Sequence, residues 1–340
     1  MTRYAMISAR AMGALPRFIK AEAGTRGLAR ACAAAGLPCG IESVDDRYIT
    51  QRALMTFVDE VARLVGDERL GIELARYMTP DDYGTYGAYL LSAPTLIDAL
   101  ERSRRALLWH SAHDEISIDA QGDFVRYSWR FASAGTFGYE NIAYCAAGVL
   151  VNLIRGYLGG TWCPHRIELD VSSARGVTRA TDSFGCDVRP GGRQVTVVIP
   201  RSLLATQPAR VRAGPTVTLA DIERVRGRGA PKHLIDVVSE LVRMRLADAS
   251  VSLDSVAELL ALGSRTLQRQ LEQEGLQFRD VVNRARLERA QQLLAERDLS
   301  ITRIATELGY SAPSHFTRAF HRETGVSPRQ YRRRLVASGA

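Results

Sequence analysis

Three polar side chains in the C-terminal third have the types and spacing to read a nucleic acid. Arg265, Gln268 and Arg269 would share one face of an α-helix. A guanidinium pairs bidentately with the edge of guanine and a carboxamide with adenine, and a helix fits the major groove of DNA. Ser314, His315 and Arg318 form a second set of the same kind. Chemistry-bearing residues elsewhere are sparser. His110 and His113 stand as HxxH, and Cys163-Pro164-His165 follows, but no second pair at a ligand spacing completes a metal site. No GxSxG, HExxH or phosphate-loop pattern appears. The expectation is a protein that is not an enzyme and carries no cofactor and no metal. Tyr86, Tyr89, Trp109 and Trp129 are candidates to line a small-molecule pocket, because such pockets are mostly apolar with a few polar groups.

The elements that must position the two polar sets are themselves a repeat. VAELLALGSRTLQRQLEQEG, Val256 to Gly275, is echoed by IATELGYSAPSHFTRAFHRETG, Ile304 to Gly325. Ala257 answers to Ala305, Leu260 to Leu308, Leu267 to Phe316, Arg269 to Arg318 and Leu271 to Phe320. The offset is 48 residues before the turn and 49 after it. Each copy reads as two short helices around a tight turn, a helix-turn-helix. Asp254 or Ser252 caps the first copy, and Ser311 caps the second helix of the second copy. Gly309 supplies a positive φ at one turn. Ala261 stands in its place at the other and, in the same turn, is strained by about 1 kcal/mol. Phe278 to Glu296 reads as a helix of roughly 28 Å, a strut able to hold two recognition helices about one DNA turn apart. Two unequal reading faces predict an asymmetric operator. Exposed cations such as Arg284 and Arg332 are candidates for phosphate contacts.

Charge agrees with a polyanionic partner. Of the net +8, residues 1–205 hold 23 Lys and Arg against 22 Asp and Glu, and residues 206–340 hold 22 against 15. The five cysteines are irregularly spaced with no secretory signal before them, which favours reduced thiols in a cytoplasm. The longest apolar run, Ile142 to Ile154, is shorter than the ~20 residues of a membrane span.

The first 205 residues mix helices with strands without regular alternation, which predicts an α+β domain. Thr50 caps a helix to Val65, Asp67 caps one to about Met78, and Thr95 to Trp109 is helical. Ile116 to Phe131 reads as a β-hairpin about Gln121-Gly122-Asp123, and Phe137 to Tyr157 as a buried helix. Phe184 to Val188 and Val195 to Ile199 read as a second hairpin about Pro190-Gly191-Gly192. Residues 206–232, rich in Pro, Gly and Arg, read as a linker to an all-α domain at 233–340 with helix-turn-helix units at about 253–275 and 301–325.

The stretch from Ser252 to Leu294, followed by ITRIATELGYSAPSHFTRAFHRETGVSPRQYRR, closely resembles the DNA-binding domain of the AraC/XylS family of bacterial transcription regulators. The ending from Ala305 to Arg332 carries the most specific part. The resemblance implies seven helices, with base contacts from the third and sixth falling on Arg265, Gln268 and Arg269 and on Ser314, His315 and Arg318. YGAYLLSAPTLIDAL and FGCDVRPGGRQVTVVIPRSLL are similar to the arabinose-binding-like effector domain of the subgroup that includes the ornithine-utilisation regulator and VirS. What this implies is a cytoplasmic activator that senses an unidentified small molecule, binds double-stranded DNA, meets RNA polymerase and forms a homodimer through its N-terminal domain. A constitutive regulator whose N-terminal domain only dimerises, and a thiol or metal redox sensor fused to a DNA-binding domain, are the alternatives.

Overall fold

The computed structural model describes residues 4–44, 46–208, 216–246, 251–296 and 298–338. It divides into two compact units between Lys232 and His233. In the N-terminal unit, β1 (Met6–Ser8) precedes α1 (Leu15–Ala34), β2 (Tyr48–Thr50), α2 (Gln51–Val65), α3 (Leu70–Leu74), α4 (Gly84–Leu91) and α5 (Leu96–Ala106). Then come β3 (Glu115–Gln121), β4 (Phe124–Arg130), α6 (Tyr139–Leu158), β5 (Arg166–Glu168), α7 (Val177–Phe184), β6 (Asp187–Arg189), β7 (Val195–Pro200) and α8 (Leu219–Arg226). The second unit holds α9 (Leu234–Arg245), α10 (Leu253–Leu259), α11 (Ser264–Gln273), α12 (Phe278–Ala295), α13 (Ile301–Glu307), α14 (Pro313–Thr324) and α15 (Pro328–Ser338). Its seven described helices match the number the resemblance implies.

Local chemistry explains most boundaries. The Thr50 hydroxyl accepts from the Ala53 amide and opens α2, and Thr95 does the same for α5 through Asp98. Gly66, with φ of 78°, closes α2. Gly24 breaks α1 into two segments. A five-stranded sheet runs in the order β3-β4-β7-β5-β6. The β3–β4 hairpin forms in the expected place, with Gln121 opposite Phe124 and Gly122 at φ of 59°. The second expected hairpin does not form. β7 pairs with β4 and β5, and β6 lies parallel to β5 at the far edge. The β6–β7 link instead crosses the end of β5, where Gly191 and Gly192 donate to Val171 and Leu169. A glycine-rich turn between two strand-like runs looks the same locally in either topology. The helix expected to reach Met78 stops at Leu74, and Asp67 accepts from the Arg69 amide at its start.

Helix α6 is long and apolar enough to cross a membrane by composition alone, but it is mostly buried as the core helix of this unit. It packs on β7, α2 and α3. Part of the expected linker, 209–215, lies outside the described residues. The remainder, 206–208 and 216–232, belongs to the N-terminal unit, where α8 packs on α4. A Thr218–Asp221 capping box starts α8, and Ile222 and Arg226, one helical turn apart, are its buried face.

Candidate nucleic-acid interface and effector domain

The two helix-turn-helix units are built alike. In the first, Val256, Ala257, Leu267 and Leu271 are buried. In the second, Ile304, Ala305, Leu308, Phe316 and Phe320 form a core with Ala290, Leu293 and Leu294 of α12. Equivalent bonds close both turns: the Leu262 amide donates to the Ala257 carbonyl at 2.9 Å, and the Tyr310 amide to Ala305 at 2.9 Å. The extra residue of the second copy falls just after this bond, at Ser311.

Ala261 adopts the left-handed φ of 56° where Gly309 has 74°. Alanine pays about 1–2 kcal/mol there, and glycine returns about 0.5–1 through unfolded-chain entropy. Ala261→Gly is therefore expected to stabilise this unit by about 0.5–1 kcal/mol, and amides of α10 and α11 should exchange with solvent roughly two- to fivefold more slowly. Unchanged exchange would show that the turn is unstrained.

Arg265, Gln268 and Arg269 are exposed on α11, opposite Leu267 and Leu271. Neither guanidinium has a partner among the described residues, while the Gln268 amide donates to Glu272 at 3.0 Å. On α14, Ser314, His315 and Arg318 are likewise exposed opposite Phe316 and Phe320. The expected Ser311 cap is replaced. Ala312 occupies the cap position without a side-chain bond, Pro313 starts the helix, and the Ser311 hydroxyl meets His315 Nδ1 at 3.1 Å. Arg284 is mostly exposed. Arg332 is not a free cation, because its guanidinium donates to the Leu294 and Leu299 carbonyls at 3.2 and 2.6 Å. It fastens α15 to the end of α12.

The four candidate pocket residues are all core. Tyr86 stacks on His110 with ring centroids 4.7 Å apart and donates to the Ser103 carbonyl. Tyr89 lies beneath the Arg102 guanidinium at 4.7 Å. The Trp109 indole donates to the Gly227 carbonyl, and that of Trp129 to the buried Asp114 carboxylate. Burial raises the Tyr86 and Asp114 pKa values, opposed at Asp114 by four hydrogen bonds. Tyr86 and Trp129 thus meet around His110, Trp109 adjoins them through the chain, and Tyr89 stands apart. Two participants were not anticipated. In the sequence His110 stands in an HxxH pair that no ligand set completes, and Arg226 lies in a stretch of linker composition. The recurrence of Ile222 and Arg226 four residues apart was the available signal for the latter.

The family profile described as the arabinose-binding domain of AraC transcription regulators, N-terminal, matches residues 27–208, and a helix-turn-helix profile matches 256–334. The chain belongs to the AraC family. It is a DNA-binding transcription regulator, and its relatives are regulators, not enzymes. It is 28% identical over 305 residues to the transcriptional regulator VirS of Mycobacterium tuberculosis (strain CDC 1551 / Oshkosh), covering 87% of this chain and 88% of VirS. VqsM of Pseudomonas aeruginosa is 26% identical over 281 residues, covering 77% and 83%. The crystal structure of the regulator CdpR from Pseudomonas aeruginosa aligns over 91% of this chain and 97% of its own, with 25% identity and a TM-score of 0.41.

Proposed function

We propose that this regulator is a cytoplasmic, ligand-responsive activator. Residues 1–205 bind an effector and dimerise, and residues 233–340 read two successive major grooves of an asymmetric operator before RNA polymerase. One observation carries the reading: two unequal polar faces, each exposed above its own buried core, with guanidinium groups at Arg265, Arg269 and Arg318 that have no partner among the described residues. The first face holds two arginines and a glutamine, the second one arginine with short or partly engaged neighbours. Helix α12, about 27 Å by its rise per residue, supports the groove-to-groove spacing.

The test is a footprint of the full chain with base substitutions through both halves of the protected site. Substitutions in the half under α11 should cost more affinity than those under α14, and equal losses would overturn the asymmetric reading. Metabolites that raise the thermal midpoint by mass action and also change operator affinity would support ligand response. A ligand that binds without altering DNA binding, oligomeric state or promoter output would defeat it, because control requires unequal affinity for two states.

A further inference from the structure

His110 is completely buried, and neither ring nitrogen meets a hydrogen-bond partner among the described residues. A neutral imidazole has one donor and one acceptor, and burying both unpaired is unfavourable. Three rings enclose it: Tyr83 and Tyr86 stack on it at 4.8 and 4.7 Å, and Trp129 presents an edge at 5.8 Å. Burial, and secondarily the Arg226 charge, hold its pKa well below the ordinary histidine value, so the ring is neutral. Tyr83 and Trp129 also form part of the wall of a cavity of about 20 Å³, shared with Leu54, Met78, Phe131 and Ile142. None of the residues lining it is charged. That space holds about one water molecule. A larger occupant needs a wall that moves, and Met78, unbranched and easily repacked, supplies one.

The same cluster is tied to the segment that precedes the second unit. Arg226 is 4% exposed and donates to the Trp109 carbonyl at 2.9 Å and to the Tyr83 carbonyl at 3.2 Å. The Trp109 indole returns a bond to the Gly227 carbonyl at 3.0 Å, and the Ala230 amide donates to Leu108 at 2.8 Å. Gly229, at φ of 90°, has no room for a side chain, since a Cβ would lie 2.6 Å from the Leu108 carbonyl oxygen. Residues 226–230 therefore clasp both Tyr83 and the residues just before His110.

We infer that the His110 cluster is the effector site, taking a small uncharged molecule with an apolar body and one hydroxyl group, and that Arg226 reports its occupancy to the chain preceding residue 233. The inference rests on the ligand-responsive reading above and gives it a site and a ligand chemistry. A hydroxyl both donates and accepts, so it satisfies either nitrogen of the imidazole. An alkane would leave the nitrogens orphaned, and a carboxylate would lose its hydration among apolar walls. Displacing Tyr83 to admit the ligand also displaces one of the two carbonyls that hold Arg226.

All three tryptophans, Trp109, Trp129 and Trp162, lie in the N-terminal unit, so melting followed by tryptophan emission reports on that unit. The full chain would be titrated with cyclohexanol, cyclohexane and cyclohexanecarboxylate. Cyclohexanol should raise the midpoint and shift the emission, with weaker effects from the other two, and should expose the Arg226–Gly227 bond to trypsin, read by mass spectrometry. His110→Phe keeps the ring and removes the orphaned nitrogens. It should melt at or above the parent temperature, bind cyclohexanol at least tenfold more weakly, and lose the induced cleavage. No response of the parent protein to cyclohexanol, a stronger response to the carboxylate, or an equal response in His110→Phe would each overturn the assignment. Binding without a change in cleavage would remove Arg226 as the reporter. If a metabolite that alters operator binding keeps its effect in His110→Phe, ligand response stands and this site falls.

Discussion

Replacing Gly148 by alanine is expected to destabilise the N-terminal unit by about 3 kcal/mol, the upper end of the usual cost of overpacking. Helices α3 and α6 approach through a reciprocal pair of glycines. A Cβ at Gly148 would lie 2.2 Å from the Ala75 carbonyl oxygen, and one at Gly71 would lie 2.3 Å from that of Asn141. Neither obstacle is a flexible side-chain end. The backbones are also tied together: the Gly71 amide donates to Asn141 Oδ1 at 2.8 Å, and Asn152 Nδ2 donates to the Ala75 and Met78 carbonyls at 3.2 and 2.8 Å. Forcing the helices apart would lengthen these bonds as well as loosen the packing. Gly71→Ala should behave similarly. Gly156→Ala, also on α6, is the control, because its Cβ would meet only the Leu91 Cδ2 methyl at 3.1 Å. Its helix-propensity gain of about 1 kcal/mol should offset that contact. Denaturant unfolding followed by tryptophan emission measures all three, and similar midpoints for Gly148→Ala and Gly156→Ala would refute the close-approach argument.

The second large effect is expected in DNA binding. Arg269→Ala should cost about 1–3 kcal/mol on the regulator's own operator, roughly 5- to 150-fold in affinity, and should relax preference at one base pair. Arg269 is exposed and has no competing carboxylate partner among the described residues, so its guanidinium is free to make a bidentate contact. Arg284→Ala should instead weaken binding evenly across sequences and reduce the salt slope. Arg332→Ala should act mainly through folding, because that side chain holds α15 to α12. Binding to a panel of single-base operator variants at two salt concentrations separates these cases. A uniform loss for Arg269→Ala would reduce it to a phosphate contact.

The DNA-binding half was legible in the chain because its determinants are local. A 3.6-residue apolar period, a turn residue and a cap each act within a few positions. Val256, Leu267, Phe316 and Phe320 therefore fell on the buried side, and Ala261 could be assigned its left-handed backbone from its match to Gly309 alone. The cap at Thr50 and the β3–β4 hairpin were readable for the same reason. Where partners are distant, local pattern does not decide the pairing. β6 and β7 looked like a hairpin until β5 came between them, a choice made by which strand edges remain unpaired.

The N-terminal half shows the same division more sharply. Composition alone placed aromatic residues in this domain, but it could not say that Tyr86 and Trp129 converge on His110 while Tyr89 does not. Nor could it show that Arg226, in a stretch of linker composition, would be buried against carbonyls contributed 117 and 143 residues earlier in the chain. The sequence by itself determined two helix-turn-helix units with unequal exposed faces, because helical periodicity decides which side chains face outward. Only the tertiary structure decided what surrounds His110 and what Arg226 holds, because burial and hydrogen-bond partners depend on which distant segments pack together.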